Sequence, residues 1–201
     1  MMNLEQAEAL ARSRLSQKRF EHTKNVRDMA VRLAQHYGAD QDQAALAALL
    51  HDIAKEIPKK EMRALMHQYA PEALDRPEPV WHGICAAILA RTQWGVEDEQ
   101  VLNAVACHTA GRPGMTQLDK ILYLADMTSA ERDWPGVESL RTLEMQDLDA
   151  AMLAALEQST QFVNGQNKPL DPLSQAAYQE ILARCRGGRT AERHRLRTEQ
   201  L

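Results

Sequence analysis

The sequence predicts an all-α fold built as a single helical domain. Three observations carry this. Of 201 residues, 44% are hydrophobic yet only 4% aromatic, and Ala, Leu, Gln, Glu and Arg dominate, the usage of helices rather than of β-branched strands. Apolar residues recur at spacings of three and four along most of the chain, the period of one helix face. Turn-forming Gly and Pro fall between these stretches, and the length suffices for one compact domain with a substantial core.

Leu4, Ala7, Leu10, Ala11 and Leu15 mark a first amphipathic helix, and Val26, Met29, Ala30 and Leu33 a second, closed by Gly38. Asp40 is placed to cap a third, whose apolar run Ala44 to Leu50 leads into His51-Asp52 before Pro58 interrupts the pattern. That puts the pair in the last turn or two of a buried helix. A short helix follows from Lys59 to about Tyr69, then a loop punctuated by Pro71, Pro77 and Pro79 that delivers Trp81-His82. Ile84 to Gln93 reads as a helix ending at Gly95, and Glu97 to Thr109 as another with His108 in its last turn; Gly111-Arg112-Pro113-Gly114 then breaks the chain. Thr116 is placed to cap a helix through Ala125 that brings in Asp126, and Trp134-Pro135-Gly136 makes a turn. Further helices are predicted from Val137 to Val163, broken near Asp147, and from Pro172 to Arg184.

The formal charge of −4 is unevenly spread: six Arg lie between Arg184 and Leu201, leaving an acidic body. The expected organisation is therefore a domain over residues 1–183 with an Arg-rich, flexible tail over 184–201. A nucleic-acid binder carries its basic face on the domain itself, so nucleic acid is not the expected partner. Cys85, Cys107 and Cys185 form no CxxC pair and are odd in number, which speaks against a disulfide framework and for a reducing cytoplasm. The N-terminal residues lack a basic region followed by an apolar one, and no apolar run reaches membrane length, so neither export nor a membrane anchor is expected.

The chemistry sits in His22, His51, Asp52, His82, His108 and Asp126, most of them at predicted helix ends. Imidazoles mixed with carboxylates suit a first-row divalent metal that keeps positions open for water. Adjacent helical residues diverge by roughly 100°, so His51 and Asp52 share an ion only near a helix end or when Asp52 bridges two. One ion among His22, His51 and Asp126, a second at His82 and His108, and Asp52 shared would suit an in-line hydrolytic displacement. His36, His67 and His194, away from any such carboxylate, read as ordinary surface or structural residues. Cys107 beside His108 reads as a buried thiol rather than a ligand, Trp81 and Trp134 as packing aromatics, and Met29, Met62, Met66 and Met115 as core filling.

In order along the chain, Arg19-Phe20-Glu21-His22-Thr23, His51-Asp52-Ile53-Ala54-Lys55, Trp81-His82-Gly83, His108 through Met115 and Tyr123-Leu124-Ala125-Asp126 resemble the YqeK branch of the HD-domain phosphohydrolases. The resemblance runs from about residue 3 to 182. It implies an HD-domain helical bundle with a dinuclear metal site between helices. The implied activity is hydrolysis of diadenosine tetraphosphate into two ADP by a hydroxide activated at two iron ions. It assigns the metal to His22, His51, Asp52, His82, His108 and Asp126; donor types alone accept manganese or zinc as well as iron.

Basic residues expected at the polyphosphate are Arg19, Lys55 and Arg112, with Thr109 as a hydroxyl donor and Arg112 on its Gly-Pro-braced loop the foremost. Asp52, Lys55 and Arg112 are the expected catalytic set. Arg132 is a further substrate contact, although Ser129-Ala130 stand where many members resemble Glu-Pro, a departure expected to remove an orienting carboxylate. A dinucleoside polyphosphate is the expected partner, and a homodimer is compatible with the sequence. Two other readings remain: an HD-type nucleotidase or guanosine-polyphosphate hydrolase, and a nucleic-acid or ribosome-binding module with a vestigial site and a contacting tail.

Overall fold

In a computed structural model describing residues 2–198, with side chains through residue 187, the chain forms ten α-helices and, among the described residues, no strand. They are α1 (Leu4–Arg14), α2 (Gln17–Tyr37), α3 (Gln41–Leu50), α4 (Lys59–Tyr69), α5 (Trp81–Trp94), α6 (Glu99–Cys107), α7 (Gln117–Thr128), α8 (Val137–Glu144), α9 (Leu148–Gly165) and α10 (Pro172–Thr198). No described helix is long and apolar enough to cross a membrane. The all-α bundle is as the sequence predicts.

The helix boundaries follow local chemistry. Gly38 ends α2 at φ +67°, a left-handed cap that suits glycine. Asp40 accepts the backbone N–H groups of Asp42 and Gln43, and Thr116 and Asp119 form a reciprocal capping box on α7. Asp147 caps α9 and so accounts for the break after α8. The final helix, predicted to end at Arg184, continues as α10; His194 and the tail's side chains beyond residue 187 lie outside the described residues.

Helix α7 is the spine, packed against α2, α3, α6, α8 and α9, while α3 is wedged between α1, α2 and α6. Both follow from composition. Ala44, Ala45, Ala47, Ala48, Leu49 and Leu50 are all buried on α3, and a helix apolar all round has no stable place but the core. Leu118, Ile121, Leu122, Leu124 and Ala125 do the same for α7. Met62, Met66 and Met115 fill this core, while His36 and His67 are exposed, as expected. The ends of α3, α6 and α7 and the start of α5 therefore meet inside the bundle, and each of these ends carries a His or Asp.

Candidate metal centre

Four imidazoles converge with their ring orientations fixed. The Nδ1–H of His51 donates to the Ala48 carbonyl at 2.6 Å, that of His82 to the Pro79 carbonyl at 2.8 Å and that of His108 to the Val105 carbonyl at 2.8 Å. Each acceptor lies three residues earlier, a geometry available where a helix begins or ends. His22, on α2, instead bonds through Nδ1 to the Glu131 carboxylate. With Nδ1 holding the proton in every ring, each Nε2 lone pair faces inward, the tautomer that binds metal.

The structure places His51 at the cap just past α3, with Asp52 in the turn beyond it, rather than both within the last turn. This removes the difficulty of two diverging neighbours on one helix face. Asp52 is almost fully buried and its two oxygens serve different rings. Oδ2 lies 3.6 Å from His51 Nε2 and 3.8 Å from His22 Nε2; Oδ1 lies 3.2 Å from His82 Nε2 and 3.9 Å from His108 Nε2. Asp126, in the last turn of α7, brings Oδ1 to 3.1 Å from His22 Nε2. All six sequence-predicted ligands thus meet. They form three overlapping ligand groups, His22-His51-Asp52, His51-His108-Asp126 and Asp52-His82-His108, each with its ligand atoms within 4.8 Å of one another.

These residues fit divalent metal. The Nε2 atoms of His22 and His51 are buried without a hydrogen-bond partner, and a lone pair facing a carboxylate is repulsive until a cation or proton stands between them. Burial pushes the pKa of His51 down and, with His82 and His51 adjoining, that of His108 to about 3, so both favour the neutral, ligating form. Burial opposes ionisation of Asp52 and Asp126, but the surrounding imidazoles outweigh it and hold both carboxyls below the usual range. For His22 burial acts downward, yet Asp126 and Glu131 prevail and its pKa is raised.

Cations crowd the open side. Arg19 Nη1 is 2.9 Å from Asp52 Oδ2, and Arg132 Nη2 is 2.6 Å from Asp126 Oδ1. Lys55 stretches its Nζ to 3.2 Å from His82 Nε2, and loss of water lowers its pKa. Thr109 Oγ1 is 3.1 Å from His108 Nε2. Arg19, His22 and Arg132 border a cavity of about 380 Å³, together with Lys18, Glu56 and Glu131. Arg112, on the loop after Thr109, pairs through Nη2 with the fully buried Asp119 at 2.7 Å.

At this centre Glu131 escaped the sequence reading, and Gly83 was read only as part of the Trp81-His82-Gly83 element. Glu131 accepts from His22, from Asn25 Nδ2 at 2.6 Å and from Ser129 Oγ at 2.9 Å. The carboxylate that Ser129-Ala130 seemed to remove is thus present two positions beyond Ser129, and Ser129 itself helps hold it. Gly83, next to His82, lets α5 approach α6: a Cβ there would lie 2.9 Å from the Val105 carbonyl oxygen and 3.0 Å from His108 Nδ1. Its position directly after a ligand was the available signal. Cys107 is buried, its thiol pushed up to about 12, in keeping with a packing role. Trp81 and Trp134 are held by hydrogen bonds to the Arg76 and Met127 carbonyls.

The HD domain family pattern matches residues 19–131, the span from Arg19 through Glu131 that encloses every candidate ligand. The chain is 38% identical over 173 residues to the symmetrical bis(5'-nucleosyl)-tetraphosphatase of Bacillus subtilis, covering 85% of this chain and 93% of that protein. It is 39% identical over 183 residues to the protein of the same name from Halalkalibacterium halodurans, covering 90% and 98%. A crystal structure from Clostridium acetobutylicum, described as a "predicted HD superfamily hydrolase involved in NAD metabolism", superposes with a TM-score of 0.86 at 32% identity, covering 92% of this chain and 99% of that one. Ligand set, fold and relatives agree, and the chain belongs to the HD-domain family as a YqeK-type phosphohydrolase.

Proposed function

We propose that this protein is a symmetrical dinucleoside tetraphosphatase: it hydrolyses diadenosine tetraphosphate with one water to two ADP at a centre holding two divalent ions. The observation that carries the reading is the division of Asp52, Oδ2 toward His22 and His51 and Oδ1 toward His82 and His108. The names of the curated relatives support the nucleotide phosphoanhydride as substrate. One ion would be held by His22, His51 and Asp126, the other by His82 and His108, with Asp52 common to both. Bound there, such ions, iron as the family resemblance implies, supply hydroxide at neutral pH and offset charge on the leaving oxygen.

The chain's own residues bind and orient the tetraphosphate. Arg19, Lys55 and Arg132 surround the open side and stabilise phosphoryl oxygens, the two guanidinium groups with fixed forks and Lys55 as a mobile charge. Thr109 offers its hydroxyl beside His108. No separate side-chain base is needed, so Asp52 works as a ligand rather than a proton acceptor. Arg112 acts through its loop, where its pair with Asp119 braces the segment following Thr109. Three free cysteines fit a reducing cytoplasm, the compartment this reading assigns.

The test is anaerobic incubation of the metal-free protein with ferrous ion and diadenosine tetraphosphate, resolving ADP from AMP and ATP, beside guanosine polyphosphates and nucleoside monophosphates. ADP as sole product is expected. AMP with ATP, or preferential turnover of either other class, overturns the reading.

A further inference from the structure

One side of the centre depends on a short stretch of chain. The turn after α7, residues 129–132, carries Glu131, which orients His22, and Arg132, whose Nη2 lies 2.6 Å from Asp126 Oδ1. Within the turn the Arg132 N–H donates to the Ser129 carbonyl at 2.9 Å, a bond that does not by itself fix where two side chains point. The turn also follows the end of a helix, whose last carbonyls have no partner further along α7. Side chains supply the partners. Arg132 Nε donates to the Asp126 carbonyl at 2.8 Å and Trp134 Nε1 to that of Met127 at 3.0 Å.

The carbonyls that come next go to Arg141, on α8. Its Nε donates to the Thr128 carbonyl at 2.9 Å, and its Nη2 to the Ser129 carbonyl at 2.8 Å and the Arg132 carbonyl at 2.9 Å. Nη1 pairs with Glu138, one turn earlier on the same helix. A single planar group thus ties together the last residue of α7, the cap after it and the far end of the turn. Thr128 and Ser129 are fully buried, so water does not replace the guanidinium at their carbonyls when it is removed. The fork is essential to the arrangement: a lysine ammonium gathers its donors on one nitrogen and does not span carbonyls that Nε and Nη2 meet separately.

We propose that Arg141 is a positioning residue for the reaction: it clasps the turn that aims Glu131 at His22 and Arg132 at Asp126, and so fixes the ion group His22-His51-Asp126 without touching metal or substrate. The inference rests on the metal-dependent hydrolase reading above and extends it to a residue outside the centre. The effect is one-sided. His82 and His108 are oriented by carbonyls of their own segments, Pro79 and Val105, and need no clasp from α8.

The experiment uses the metal-free full chain as wild type, Arg141→Ala and Arg141→Lys, each Arg141 variant alone and combined with Glu131→Ala. Anaerobic binding of ferrous ion is measured by calorimetry, with thermal unfolding as a control on folding and turnover of diadenosine tetraphosphate alongside. In Arg141→Ala one ion is expected to bind at least about tenfold more weakly, with a smaller loss in Arg141→Lys and the other ion within about twofold of wild type. Because Arg141 acts through the turn that holds Glu131, the combined variant should lose clearly less than the product of the two single losses. A lowered unfolding midpoint with ferrous ion bound as in wild type, or losses that multiply, overturns the proposal. Where Arg141→Ala does not fold, Arg141→Lys carries the same comparison. A wild type that binds ferrous ion without cleaving diadenosine tetraphosphate sinks the proposed function, while the clasp is still decided by ion affinity.

Discussion

The deep half of the centre and its open half hold the same kind of ligand by different means. His51, His82 and His108 are each at most 4% exposed and are oriented by a carbonyl three residues back in their own segment. His22 is oriented by Glu131, which is 109 residues away, on a segment whose neighbour Arg132 also holds Asp126. Titration follows the same division. Burial pushes His51 and His108 toward neutrality, while Asp126 and Glu131 raise His22 in spite of burial. The difference teaches that helix ends build the deep half locally, and that docking of the turn after α7 onto α2 completes the open half.

The largest expected effect comes from Asp52, whose two oxygens face the two proposed ion groups, His22 with His51 and His82 with His108. Asp52→Ala removes a ligand from both groups at once, and turnover should fall at least about a thousandfold with metal content dropping in parallel. Elemental analysis beside an activity assay checks it, and a variant that keeps both metal and turnover erases the distinction between a bridging and a peripheral Asp52. Arg112→Ala should leave Asp119 buried without its cation; because Arg112 is about one-third exposed, we expect a loss of about 2 kcal/mol, less than for a fully buried pair. Denaturant unfolding reads it, and an unchanged midpoint with impaired substrate binding would return Arg112 to the phosphate.

Glu131→Ala tests the open half alone. Loss of a group orienting a metal-binding histidine costs about 10–100-fold in metal affinity, and Glu131→Gln should restore part of it because the amide oxygen still accepts from His22 Nδ1. Equal metal affinity in wild type and Glu131→Ala would mean that His22 needs no anchor. The smallest effect lies away from the centre. Glu144, at the end of α8, is buried with Oε2 unpartnered, and burial raises its carboxyl to about 7. The folded state thus retains a proton that the unfolded chain releases near 4.5. Its stabilising contribution is present below that value, declines as pH rises toward about 7 and is gone above it. Glu144→Gln should flatten this decline by on the order of 1–2 kcal/mol, read from unfolding midpoints between pH 5 and 8.

What was legible in the sequence follows the same division. The helices with their caps at Asp40 and Thr116, and the stop at Gly38, obey rules that reach only three or four residues. The candidate ligands of the deep half fall at helix ends, so His51, His82 and His108 were visible as a pattern. Glu131 was not, because its partner is distant in sequence and Ser129-Ala130 read as a missing carboxylate. Arg112 was legible as a phosphate-contact candidate from its Gly-Pro surroundings, whereas its pairing with Asp119 was not, because Asp119 reads only as a first-turn acid of α7. Gly83 could be read as a small residue, but the carbonyl it must clear belongs to another helix.

The central claim is that Asp52 joins two ion groups, His22-His51-Asp126 and His82-His108. Anaerobic titration of the metal-free protein with ferrous ion, followed by elemental analysis of the desalted wild type and of His22→Ala and His82→Ala, tests it most directly. Two ions per wild-type chain, with one retained when either histidine is removed, is the predicted result. A single ion per wild-type chain, lost alike in both variants, would contradict the account.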